Sequence, residues 1–505
     1  MRTFLMVVAV GALALLVAAP VMAVDFKFGA EYRVRFYDYA NVGMNDVQGT
    51  NPRGVQLRVR PRFDASDDNG NITATWRAEY GDTEFGGGGG ANGFASGSTS
   101  TGSTLTLFRT TPSTSRVGNG AGGSAGADGV ALETKWAYLD FAMPFGVPLR
   151  VRAGIQPWYL PKGLIVDDDI IGVRAYGTVA PFSYELAWFR ATRGANTTAV
   201  PAGAAGQAGF QTTKDNALDF YQFKFDLALA KAFNPGLYYI YGDNKANCST
   251  AGGVGNFDPL AAAECARNSR TRPQHWVGAT VTGDLGFMSY DLDWVYGYAK
   301  GGPDGNLVNI NNDVVKVKGW VADAGVHFPI GPVRLNLVGS YATGDKGHTD
   351  QTSSSAYPGG VGQSWNGPSQ IAGGTYEIIG AAGSFDVVDT NQDSPTNLLT
   401  LGASAEYNPV KALTLRVHYL WAGFVKTTGN CVTGAPFTAT ATVGCFGPQY
   451  QSLAGKKSMG QEIGLRADYQ VWTGFKLQGF AGWLIPSNSD ASPTGKYIFQ
   501  MLYSF

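Results

Sequence analysis

The sequence predicts an all-β chain: a transmembrane, antiparallel up-and-down β-barrel of about 18 strands, about 16 being the alternative count. Three observations predict it. Segments in which apolar and polar residues alternate recur along almost the whole length. The connections between them switch regularly from long to short. The chain finishes on YIFQMLYSF, residues 497–505, where Tyr497, Phe499, Met501, Tyr503 and Phe505 fall on one face of an extended strand.

Residues 1–23 read as a cleaved signal peptide and 24–505 as a single barrel domain. Arg2 precedes an apolar run from Phe4 to Ala19, and Pro20 with Val21-Met22-Ala23 suits cleavage after Ala23. A membrane anchor needs about 20 apolar residues, and this run is shorter. Removing Arg2 takes the 38 Lys and Arg to 37, against 39 Asp and Glu, for a net charge of −2. That balance argues against a nucleic-acid partner, which would call for a basic stripe. Glycine is abundant at 69 residues and aromatics make up 12% of the chain, a composition that favours strands over helices.

The elements follow in order. The first strand is expected near 25–39. Strands near 52–65 and 70–82 are joined by Ser66-Asp67-Asp68-Asn69, and those near 130–141 and 148–157 by Pro144-Phe145-Gly146. Ala180-Pro181 joins 170–179 to 182–191, Asn234-Pro235 joins 216–228 to 236–242, and Asp284-Leu285 joins 275–283 to 286–299. Pro329-Ile330-Gly331-Pro332 joins 316–328 to 333–344, and Asn408-Pro409 joins 396–408 to 412–427. Trp472-Thr473-Gly474 joins 458–472 to 475–485, and 496–505 is last. Asn, Asp, Gly and Pro in these joints are the residues tight turns require. The intervening connections, 83–129 and 345–395 above all, are long. Long extracellular loops on one rim and short periplasmic turns on the other describe a barrel in a membrane.

In lipid every backbone N–H and C=O must be paired within the protein, so a sheet spans only when it closes. Its outer row must then be apolar. Phe26, Phe28, Tyr32, Val34 and Phe36 oppose Lys27, Glu31, Arg33 and Arg35, and Val55, Leu57 and Val59 oppose Gln56, Arg58, Arg60 and Arg62. Tyr290, Leu292, Trp294, Tyr296 and Tyr298 oppose Asp291 and Asp293, and Ile463, Leu465 and Tyr469 oppose Glu462, Arg466 and Asp468. A soluble sheet alternates too. An interior this wide and this charged is tolerable only when water fills it.

The signal peptide, the alternation and the terminal YIFQMLYSF resemble Gram-negative outer-membrane porins. GVQLRVRPRFDA, ETKWAYLDF and VRAGIQPWYLPKGLIVDDD are similar to segments of the large β-barrel porins of environmental Proteobacteria. The resemblance spans the mature chain, through degenerate motifs. It implies the cell outer membrane, with lipid around the barrel, and a passive channel for small hydrophilic or ionic solutes rather than an enzyme. It implies that Phe505 belongs to a signal read by the barrel-assembly machinery. Porins are often homotrimers, and no segment here marks a subunit interface. Two alternatives are kept: the barrel sheath of a porin–cytochrome electron conduit, and an export channel for an anionic polysaccharide. The chain has no C-x-x-C-H, so the haems of a conduit would belong to a multihaem cytochrome partner.

Selectivity in a porin comes from pore width, lining charges and any loop folded inward. The inner rows of the first six strands carry Arg33, Arg35, Arg58, Arg60, Arg62, Arg77, Arg150, Arg152 and Arg174. Asp226, Asp291, Asp293, Asp323, Glu406, Glu462 and Asp468 come later. Two readings are open: a transverse field between a basic and an acidic arc, or local neutralisation, with Glu31 and Glu79 pairing with Arg58 and Arg77. The third long connection, 158–169, is the candidate constriction loop, and Asp167, Asp168 and Asp169 would set carboxylates against the basic arc.

Cys248, Cys265, Cys431 and Cys445 are an even count in an exported chain, which favours two disulfides. Three connectivities are open. Local pairing, Cys248 with Cys265 and Cys431 with Cys445, is expected because each pair sits in one polar, irregular stretch. No cofactor and no metal site are expected. Asp389, Asn391 and Asp393 begin like a calcium loop, but Ser394 replaces the required glycine and Thr400 the final acid.

Overall fold

The computed structural model describes residues 24–41, 53–85, 132–144, 146–193, 217–244, 272–303, 314–344, 353–354, 398–426, 457–487 and 492–505. Residues 1–23 and all four cysteines lie outside this set. The strands are β1 (Val24–Ala40), β2 (Arg53–Asp67), β3 (Ile72–Glu84), β4 (Leu132–Ala142), β5 (Arg150–Tyr159) and β6 (Asp167–Val179). Next come β7 (Phe182–Arg193), β8 (Ala217–Leu227), β9 (Asn234–Asn244), β10 (Arg272–Asp284), β11 (Ser289–Pro303), β12 (Val314–Ile330) and β13 (Val333–Ala342). The two-residue β14 (Ser353–Ser354) precedes β15 (Leu398–Val410), β16 (Leu413–Phe424), β17 (Ser458–Trp472), β18 (Phe475–Pro486) and β19 (Thr494–Ser504).

Every wall strand pairs antiparallel with its neighbours in sequence, and β1 pairs with both β2 and β19, so the sheet closes on itself. β14 lies parallel to β12 and outside the wall, because β13 pairs directly with β15. The wall is therefore a closed antiparallel barrel of 18 strands. Closure leaves no open sheet edge to satisfy. No helix among the described residues is long and apolar enough to cross a membrane; the crossing segments are strands.

The two faces divide as period-2 patterning requires. Phe28, Tyr32, Phe36, Leu186, Phe223, Leu292, Leu337, Leu465 and Phe499 are large apolar side chains left exposed on the outer face. Exposure on this scale belongs in hydrocarbon, since a soluble monomer rarely shows a large continuous apolar surface. Arg33, Arg35, Asp140, Glu185, Asp293, Asp323 and Glu462 are buried on the inner face.

One boundary differs in a way that matters. The expected strand 170–179 starts three residues earlier, because Asp167, Asp168 and Asp169 pair with Tyr159, Trp158 and Pro157 of β5. The three aspartates, expected at the end of the connection 158–169, are thus the first residues of β6. The connection proper is Leu160 to Val166, with the 3-10 turn Pro161–Gly163 at its head.

Candidate pore constriction

The segment between β5 and β6 runs inward. Its ends are tied where the Leu160 N–H donates to Val166 O at 3.0 Å, and the Gly163 N–H donates to Leu160 O at 3.0 Å. Leu160, Leu164, Ile165 and Val166 are almost wholly excluded from solvent. They share one apolar cluster with Phe189, Phe220, Ile240, Trp276, Val295, Val321, Leu420 and Leu484, a set that reaches from β7 round to β18. The interior therefore has two levels. Towards the long-connection rim lies this apolar cluster, with Glu462 buried between Leu420 and Leu484, and ion-paired charges line much of the rest of the inner face.

At the head of the segment stands Lys162, whose backbone is left-handed at φ 56° and ψ 9°. Its ammonium meets a cage on the far wall. Nζ donates to Asp323 Oδ1 at 2.7 Å and to Asp323 O at 3.1 Å. Asp293 Oδ2 lies 3.1 Å away, and Asp291 closes the group. Asp323 has no solvent exposure. Burial alone would lower the Lys162 pKa, but the carboxylates of Asp323, Asp293 and Asp291 outweigh it and hold the ammonium above the ordinary lysine value. His327 Nε2 contacts Asp291 Oδ1 at 2.8 Å, and its Nδ1 contacts Asn336 Oδ1 at 2.7 Å. Asn336 in turn donates to Ser404 at 2.9 Å. The acidic cage is thus oriented from β12, β13 and β15.

The nine expected arginines all lie on the inner side of β1, β2, β3, β5 and β6. Arg58 pairs with Glu31 at 3.2 Å, Arg60 with Glu79, and Arg62 with Asp64 at 2.8 Å. Arg150 and Arg152 clasp Asp140 from both sides at 2.7 and 2.8 Å, and the Tyr176 hydroxyl donates to the same carboxylate. Arg174 pairs with Glu185. The Arg77 guanidinium lies 4.5 Å from the Trp136 ring centre, and Arg152 lies 4.5 Å from that of Tyr138. Arg33 and Arg35 are buried, Arg35 donating to Gln500 at 2.9 Å. Glu31, Asp64, Glu79, Asp140 and Glu185 thus stand among the nine arginines of this arc.

The later strands depart from a continuous acidic arc. Glu406 pairs with Arg416, and Asp468 with Arg466 at 2.9 Å. Glu462 faces inward without touching solvent, and His418 Nε2 meets its Oε1 at 2.8 Å. Three carboxylates converge instead at Asp291, Asp293 and Asp323 on β11 and β12. In a ring of 18, β11 lies nine strands from β2, so this pole sits diametrically across from the arginines.

Of the three aspartates at the head of β6, Asp167 is exposed while Asp168 and Asp169 are half-buried. Asp169 accepts from Trp136 Nε1 at 2.7 Å and pairs with Lys135 at 3.4 Å. It borders the arginine arc there, but the charge that crosses the barrel is Lys162. Sequence reading passed over that residue; its signal was a single cation in the apolar stretch Leu160-Pro161-Lys162-Gly163-Leu164-Ile165-Val166. Among the described residues no group of three His, Cys, Asp or Glu side chains could hold a metal ion.

No protein-family model matches the sequence. No curated protein matches it either. Solved structures do. OccAB1 of Acinetobacter baumannii is 10% identical, with 95% of this chain and 96% of that chain aligned and a TM-score of 0.52. OccK8 (OprE) of Pseudomonas aeruginosa and a BenF-like porin of Pseudomonas fluorescens Pf-5 are each 12% identical, cover 95% of this chain and 98% of theirs, and give a TM-score of 0.49. The closed 18-strand barrel matches the OprD/Occ porin fold. At these identities the likeness concerns architecture alone.

Proposed function

We propose that the chain is a passive, water-filled channel in the outer membrane of a Gram-negative bacterium, conducting small hydrophilic or ionic solutes. The observation that carries this reading is the disposition of charge: ion-paired Arg, Asp and Glu on the inner face of a closed barrel whose outer face is aliphatic and aromatic. Charges so placed need water inside, and an outer face so apolar needs lipid.

The constriction is the Leu160–Val166 segment. Solutes pass between the arginine arc and the β11–β12 carboxylates, where opposed charges orient dipoles and select among ions. Arg58, Arg60, Arg62, Arg77, Arg150, Arg152 and Arg174 are the lining residues of the basic side, and Asp291 and Asp293 those of the acidic side. The same segment argues against the sheath of an electron conduit. A lumen crossed by chain that packs on the far wall leaves no bore for a folded cytochrome.

The test is electrical. Purified protein in a planar bilayer should give discrete single-channel currents. Replacing Arg58, Arg60 and Arg62 together by Gln should move the reversal potential in a salt gradient towards cation preference. An unchanged permeability ratio would reject the lining assignment.

A further inference from the structure

We propose that the Leu160–Val166 segment is a strap that keeps the channel shut at rest, locked across the lumen by Lys162 in the cage of Asp291, Asp293 and Asp323. The proposal rests on the channel reading above and names how that channel would be regulated.

The strap has the form of a movable body. Its two ends are tied together through Leu160 and Val166, and its tip turns on Gly163 and Leu164, whose N–H groups bond back to Leu160 and Pro161. It is rooted in β5 and β6, whereas its charged partners stand on β11 and β12. One ammonium therefore bridges the lumen. The backbone at that point is left-handed in a non-glycine residue, a conformation that persists only where surroundings enforce it. The ion cluster is such an enforcing contact.

What the strap carries is a seal. Leu160, Leu164, Ile165 and Val166 belong to the same solvent-excluded apolar cluster as Val295 and Val321 of the far wall. Ions do not cross an apolar constriction from which water is expelled. Loss of the Lys162 contact removes the anchor that holds this layer against β11 and β12. It also uncovers carboxylates: three acids face one lysine, with His327 on Asp291. The open form would consequently admit cations more readily than the shut one.

Planar-bilayer recordings of the refolded mature chain and its Lys162→Met variant test this directly. Met keeps the length and apolar stem while deleting the charge. The expected result is an open probability raised about tenfold, the scale of losing one charge-assisted hydrogen bond, with a shift towards cations. Lys162→Arg should restore the resting behaviour, which a merely space-filling role would not require. Asp293→Asn, which leaves Lys162 in place, should open the channel in the same direction and guards against a misfolded Met variant. Equal open probability in wild type and both neutralised variants would overturn the strap and leave the channel reading standing. Silent bilayers from all the proteins, each folded by its heat-shifted gel mobility, would remove the channel reading and the strap with it.

Discussion

Phe505 and Ala30 exchange backbone hydrogen bonds in both directions, each 3.2 Å long, and thereby seal β19 onto β1 at the rim of the short turns. The Phe505 ring leans outward against Phe28 and Tyr32, with centroid separations of 5.7 and 6.4 Å. The last residue thus carries both the final rung of closure and part of an outward aromatic group.

A chain lacking Phe505 separates these roles. Losing the exchange leaves two backbone groups of Ala30 without partners and costs about 1–3 kcal/mol. The unfolding free energy of the detergent-folded barrel, from urea titration, should fall by that amount, with refolding still efficient. Accumulation in the outer membrane should fall much further if Phe505 is read by the assembly machinery. Equal losses in the two measurements would reduce it to a structural residue.

Gly278 of β10 lies under the Tyr238 ring, where a Cβ would come within 2.0 Å of Tyr238 Cζ. Gly278→Ala must displace a buried ring and is expected to cost about 1–3 kcal/mol. Gly479, on the outer row of β18, has nothing within 4 Å of the same position, so Gly479→Ala should leave stability within about 0.5 kcal/mol. Thermal unfolding in detergent compares the two.

Asp140 balances Arg150 and Arg152. Asp140→Asn keeps the shape and frees one positive charge on the basic arc, so the anion/cation permeability ratio should rise. A unit charge is worth about 1 kcal/mol at 4 Å in bulk water, which sets the scale of the change at about fivefold. High salt should shrink it by screening.

Glu462 and His418 are both fully buried, and the His418 ring stacks on Phe480 at 6.1 Å. Glu462→Ala leaves the imidazole Nε2 without its partner and should cost about 1–3 kcal/mol. Glu462→Gln retains an oxygen acceptor and should lose less. Denaturant midpoints decide, and an equal loss in both would place the whole effect in packing.

The wall was legible in the sequence because its two solvents are so unlike. Rows such as Tyr290, Leu292, Trp294 against Asp291, Asp293 name the lipid and lumen faces directly. The arginine arc was legible for the same reason, and local neutralisation was one of the two readings it left open: Glu31 stands 3.2 Å from Arg58, while Glu79 pairs with Arg60. Asp140 and Arg152 are register partners across a short turn, so hairpin geometry alone could have found them. The strap's anchor was of another kind. Lys162 and Asp323 lie 161 positions apart, and no local period connects them. Only closure of the ring brings β5 and β12 to face each other.

The ion pairs also bear on how the barrel enters a bilayer. Arg60 with Glu79, Arg150 and Arg152 with Asp140, Arg174 with Glu185, and Arg416 with Glu406 each join two strands that share one tight turn. A hairpin of this type can match most of its polar row before any other hairpin arrives. Transfer of separated ions towards hydrocarbon is the costliest part of insertion, and prior matching lowers it. Stepwise insertion, one hairpin after another, is the route such a wall permits.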